Sequence, residues 1–119
     1  AKPTKYGVLY YGSTAPAMDE AIAMIEGGGH ALDRLRIRAF PFHSSVNSFV
    51  AGHDFVFVVE QNRDAQLRSL IVNECGIDPV RLVPILHYDG TPITARFIAH
   101  AIGDHLEALK VTPLRKVVS

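Results

Sequence analysis

The chain has one cysteine, Cys75, among its 119 residues. An intramolecular disulfide and a cysteine-built iron–sulfur cluster are therefore excluded within it. Charge of either sign is not in excess, since twelve basic residues balance twelve acidic ones. That balance removes any electrostatic case for nucleic acid or an anionic membrane as a partner. No uninterrupted apolar run approaches the ~20 residues that a membrane-spanning helix needs. Ala1 to Lys5 carries charge but leads only into a short strand-like segment, not a signal-peptide core. A single cysteine and no targeting signal make the cytoplasm the expected compartment. The chain also lacks a Gly-x-Gly-x-x-Gly fingerprint, a P-loop and a Gly-x-Ser-x-Gly elbow. Gly27-Gly28-Gly29 follows a helical pattern rather than opening one, so it is not a phosphate cradle. There is no internal repeat and no low-complexity segment.

What is present suits one soluble domain: the length fits, and 48% of the residues are hydrophobic. Such a domain buries about two thirds of the surface its unfolded chain exposes. Tyr6 to Tyr11 reads as a first strand. Ser13 or Thr14 is placed to cap a helix, with Pro16 tolerated in its first turn. Met18, Ala21, Ile22 and Ile25 recur at helical spacing until the three glycines stop them. Leu32 to Ala39 alternates Leu35, Ile37 and Ala39 against Arg34, Arg36 and Arg38, as a strand with one buried face does. Phe40-Pro41-Phe42 forms a stiff elbow, after which Ser44 or Ser45 caps a short helix carrying Val46, Phe49 and Val50.

Phe55 to Val59 is the most apolar strand and belongs at the centre of a sheet, covered on both faces. Asp64 is expected to cap the next helix, with Leu67, Leu70, Ile71 and Cys75 inward and Gly76 as its stop. Arg81 to Leu86 is a fourth strand, and Pro84 sends it to a sheet edge because proline has no N–H. Thr91-Pro92 opens a last helix with Ile98, Ala101, Ile102, Leu106 and Leu109 inward. Residues 1–5 read as a linker, 6–110 as the domain and 111–119 as a tail or linker. The start looks abrupt, so a fragment of a longer polypeptide is expected.

Strict alternation of strands and helices implies right-handed crossovers and a three-layer α/β/α fold with a mainly parallel sheet. Order 2-1-3-4 centres the two apolar strands and leaves the Pro84 strand outermost. The polar clusters Glu60-Gln61-Asn62-Arg63-Asp64 and His87-Tyr88-Asp89-Gly90 then leave one carboxyl edge, where open α/β folds place ligands or partners.

Glu60 ends a buried strand and needs a partner, because dehydrating an ion costs several kcal/mol. Arg63 is near enough to pair with it. The cluster is either a turn stapled by local hydrogen bonds or a recognition edge that also uses Asn62, Arg63 and Gln66. Amides of this kind suit clamping at an interface better than proton transfer. His87 shares a loop with Tyr88 and Asp89, and Asp89 is placed to orient the imidazole. Six histidines invite a metal site, yet their spacing pairs none of them as ligands, and no metal is expected. Ser13 and Thr14 mark a helix N-terminus that could receive an anion, a capacity of every capped helix.

Taken together, Tyr6-Gly7-Val8 to Gly12-Ser13-Thr14, Arg36 to Pro41-Phe42, Val58 to Leu67 and Ile85 to Arg96 resemble the 2-oxoacid:ferredoxin oxidoreductases. The likeness is to the carboxyl-terminal domain of the alpha subunit, the 2-oxoglutarate type most of all, and runs to about Leu109. Ala65 departs from the pattern, where many relatives carry glycine.

The resemblance implies a domain similar to the transketolase carboxyl-terminal domain, in which an additional antiparallel strand often completes the sheet. If that strand lies upstream of Ala1, this chain exposes an edge. It implies a complex that oxidises a 2-oxoacid with coenzyme A and reduces ferredoxin. Thiamine diphosphate with Mg2+ and iron–sulfur clusters would sit in the remaining alpha-subunit domains and the beta subunit. This domain would be inactive alone and would serve assembly. Its inter-domain edge would be Glu60, Asn62, Arg63, Gln66, His87, Tyr88 and Asp89. The alternative is a free-standing adaptor or small-ligand module of the same fold.

Overall fold

A computed structural model describes residues 6–11, 14–37, 44–61, 64–88 and 91–118, with backbone alone at 15, 44 and 109–118. In chain order the elements are β1 (Tyr6–Tyr11), α1 (Ala15–Gly27), β2 (Asp33–Ile37), α2 (Ser44–Ala51) and β3 (Phe55–Glu60). They continue as α3 (Gln66–Cys75), a single 3-10 turn (Pro79–Arg81), β4 (Leu82–Leu86) and α4 (Ala95–Val118).

The four strands pair in parallel in the order β2-β1-β3-β4. Handedness then decides the layers. The step from β1 to β2 runs one way across the sheet, and the steps to β3 and β4 run the other way. Right-handed crossovers therefore put α1 on one face and α2 and α3 on the opposite face. The two cores follow that division. Val8, Tyr10, Phe57, Val59 and Ile85 pack with Met18, Ile22 and Ile25 of α1 and with Ile98, Ile102 and Leu106 of α4. Leu9, Val56, Val58 and Leu82 pack with Val46 and Val50 of α2 and with Leu67 and Ile71 of α3. The second strand shows the expected alternation, with Arg34 and Arg36 exposed between half-buried Leu35 and buried Ile37.

Several local expectations change. The Thr14 side chain makes no cap bond, and its backbone is already helical. At the start of α4 the cap is Thr94, whose Oγ1 accepts from the Phe97 N–H at 3.1 Å. The helix thus begins three residues after Pro92, where a hydroxyl can reach an N–H three positions on. Leu70 is exposed, because the Leu67–Ile71 row takes the face of α3 that meets the sheet. Backbone helix continues to Val118 through the segment read as a tail. Proline within a helix costs about 3 kcal/mol without forbidding it. Gly76 ends α3 as expected, at φ 64° with its N–H on the Val72 carbonyl. The Phe40-Pro41-Phe42 elbow lies outside the described residues.

Gly7 is fixed by packing rather than by dihedral angle. A Cβ there would stand 2.6 Å and 2.7 Å from two ring carbons of Phe49. That ring also packs on His53, with centroids 4.5 Å apart. Gly7→Ala should therefore cost about 1–3 kcal/mol. In a Phe49→Ala background the same change should cost little, and urea denaturation of the four variants reads the difference.

A carboxyl rim organised by Glu60

Strand parity selects the face that Glu60 meets. It follows Val56 and Val58 in the two-residue period, so it points toward α3. Glu60 is 3% exposed. Its Oε1 accepts from the Leu67 N–H at 2.6 Å, and its Oε2 from the Arg68 N–H at 3.0 Å. Those amides belong to the first turn of α3 and would otherwise lack partners. The carboxylate of one element thus caps the next, and the positive end of the helix dipole favours its charge.

The N-cap position falls on Ala65 rather than on Asp64, where it was expected. The residue before α3 is Ala65, and no side chain at that position caps the helix. Ala65 is left-handed, at φ 50°. This conformation turns the chain so that the Leu67 and Arg68 amides face back toward the end of β3. An alanine pays a steric penalty there that glycine does not.

The backbone of Glu60 joins the second cluster. Its carbonyl accepts from the His87 N–H at 3.0 Å, which continues the β3–β4 ladder past Leu86. The two clusters therefore leave one rim of the sheet. The His87 ring stands edge-on to Phe97 of α4, with centroids 4.8 Å apart. Tyr88 is 63% exposed, and Gln66 is exposed at the start of α3. Tyr11, at the end of β1, shares the Glu60 face by the same parity. Burial raises its hydroxyl pKa, and the Glu60 charge adds to the rise.

Asn62, Arg63, Asp89 and Ser13 lie outside the described residues, so the Glu60–Arg63 pair and the Asp89–His87 contact are not described. Thr14 is buried beside β1. Tyr11 and Phe97 were missed in the sequence, although strand parity was enough to find Tyr11. Among the described residues, no three histidine, cysteine, aspartate or glutamate side chains gather to hold a metal ion. No described helix is long and apolar enough to cross a membrane.

No protein-family model matches the chain, and no curated protein matches it. Solved structures do. The 2-oxoglutarate:ferredoxin oxidoreductase of Magnetococcus marinus, with 2-oxoglutarate, coenzyme A and succinyl-CoA bound, superposes with a TM-score of 0.77 at 23% identity. That match covers 87% of this chain and 18% of the other. The alpha chain of a probable 2-oxoacid ferredoxin oxidoreductase from Thermoplasma acidophilum superposes with a TM-score of 0.59 at 25% identity, over 90% of this chain and 92% of the other.

These neighbours are 2-oxoacid:ferredoxin oxidoreductases.

They share the parallel α/β fold of this chain, and they are the family that the residues of the two polar clusters resemble. The chain spans under a fifth of the Magnetococcus protein and nearly all of the Thermoplasma chain.

Replacing Ala65 by glycine removes the left-handed penalty while leaving the Glu60 cap in place. Ala65→Gly should stabilise the domain by about 1 kcal/mol, read as a higher urea midpoint at unchanged slope.

Proposed function

We propose that this chain is the carboxyl-terminal-type domain of the alpha subunit of a 2-oxoacid:ferredoxin oxidoreductase, acting on 2-oxoglutarate, and that its own task is assembly. The carboxyl rim, with Gln66, His87 and Tyr88 and their neighbours Asn62, Arg63 and Asp89, would meet the remaining alpha-subunit domains and the beta subunit. Ferredoxin would engage the complete enzyme. The observation that carries this reading is the superposition on two such enzymes over 87% and 90% of the chain.

Glu60 supports the division of labour. Both of its oxygens are committed to α3 amides, so the carboxylate is a poor candidate for proton transfer. Thiamine diphosphate, the group this enzyme class implies, supplies carbanion chemistry where it is bound. The start of α3 is the place at the β1/β3 switch point where a diphosphate would find free amides. Glu60 already fills it, so the described residues there do not fit the group. The diphosphate, Mg2+ and the clusters are accordingly assigned to other domains and the beta subunit.

Tyr88 is the rim's large exposed aromatic, a residue type that dominates interface energetics. The chain, tagged and purified from its native cells, should bring down a beta subunit and support 2-oxoglutarate- and coenzyme A-dependent ferredoxin reduction. Tyr88→Ala should weaken that association about tenfold or more while changing the stability of the free chain by under about 0.5 kcal/mol. Undiminished assembly and turnover in this variant would remove the assembly role.

A further inference from the structure

We propose that the outer face of α4 is a docking groove for a segment of the beta subunit that presents an apolar side chain between an acid and a base. The proposal rests on the assembly reading above and extends its contact surface down the helix. The groove is a cavity of about 510 Å3 lined by Thr94, Arg96, Phe97, His100, Ala101 and Asp104. Its apolar part is Phe97 and Ala101, which pack against the core and stay half-buried. It is continuous with the carboxyl rim. The Phe97 ring centroid stands 4.8 Å from that of His87, the residue before exposed Tyr88.

Two charges bracket the groove. Arg96 and Asp104 are both exposed and lie eight positions apart, about 12 Å along a helix. Among the described residues, neither has an ion-pair or hydrogen-bond partner. Arg96 also works against its own helix. It stands in the first turn of α4, where the dipole favours an acid and disfavours a cation. Among the described residues nothing offsets that cost, so the cation serves a carboxylate from outside the domain. Asp104 takes a cation in the same way. Of the two neighbours that the assembly reading gives this domain, the beta subunit alone is joined without a covalent link. A seated side chain and paired charges therefore govern its affinity, whereas domains of one polypeptide are held together by the chain.

The complex purified through a tag on this chain tests the proposal, with its dissociation followed on dilution. Ala101→Trp fills the groove and should weaken the complex about tenfold or more. Arg96→Glu should act in opposite directions. The free chain should melt about 2 °C higher, while the complex weakens about fivefold. Raising sodium chloride should weaken the parent complex more than the Arg96→Glu complex. If Ala101→Trp melts below the parent as a free chain, the exposed Arg96 position decides, and an Arg96→Glu complex of parental strength overturns the proposal. Tyr88→Ala separates the two readings. If it weakens the complex while Ala101→Trp and Arg96→Glu leave it unchanged, the rim assembles the enzyme and the groove proposal is overturned. If no beta subunit purifies with the parent chain, the assembly reading fails and the groove proposal falls with it.

Discussion

Two N–H···O bonds, from Leu67 and Arg68 to the Glu60 carboxylate, set the geometry of the carboxyl rim. β3 is buried on both faces, so the glutamate at its end leaves water as the sheet forms. An ion in that position destabilises the fold by several kcal/mol unless donors meet it. The start of α3 supplies them and is itself completed by the exchange. Hydrogen bonds to a charged group contribute about 1.5–3 kcal/mol each. The same residue holds the exit of β4 through His87, so one side chain and its backbone tie together a strand end, a helix start and a loop.

Among the described residues, the amino rim carries several internal contacts. The Arg81 Nη2 donates to the Val50 carbonyl at 2.9 Å and also to the His53 carbonyl. The Arg68 side chain donates from Nε to Leu82 O at 2.9 Å and from Nη2 to Pro79 O at 2.8 Å. His53 faces Asp33 through Nε2 at 2.8 Å and the Phe49 carbonyl through Nδ1, so neither ring nitrogen is left for chemistry. Phe49 presses on Gly7 from the same side. These residues fasten α2 and the β4 entry to the sheet. Gln66 and Tyr88 stand exposed at the opposite rim, the end of the strands where open α/β folds place ligands or partners.

The architecture was legible because each layer rests on a short-range rule. Val56 to Val59 could only be a central strand, Pro84 could only lie at an edge, and the strand–helix alternation fixed the handedness. Gly76 marked the end of α3 because a left-handed exit favours glycine. The site was legible only as an edge. Glu60 demanded a partner, and the sequence offered Arg63 as the nearest cation and Asp64 as the nearest cap. The bonds described join Glu60 to backbone amides seven and eight positions on. Backbone donors carry no letter in a sequence, and their direction here depends on the left-handed turn at Ala65. The Gly7–Phe49–His53 contact was hidden for a related reason, since it joins β1 to the end of α2 across more than forty residues.

Glu60 couples α3 and the β4 exit into one rim. Backbone amide chemical shifts of uniformly labelled parent and Glu60→Gln protein test it most directly. The substitution should move the resonances of Leu67, Arg68, His87 and Tyr11 together. Changes confined to Leu67 and Arg68, with His87 and Tyr11 unmoved, would contradict it.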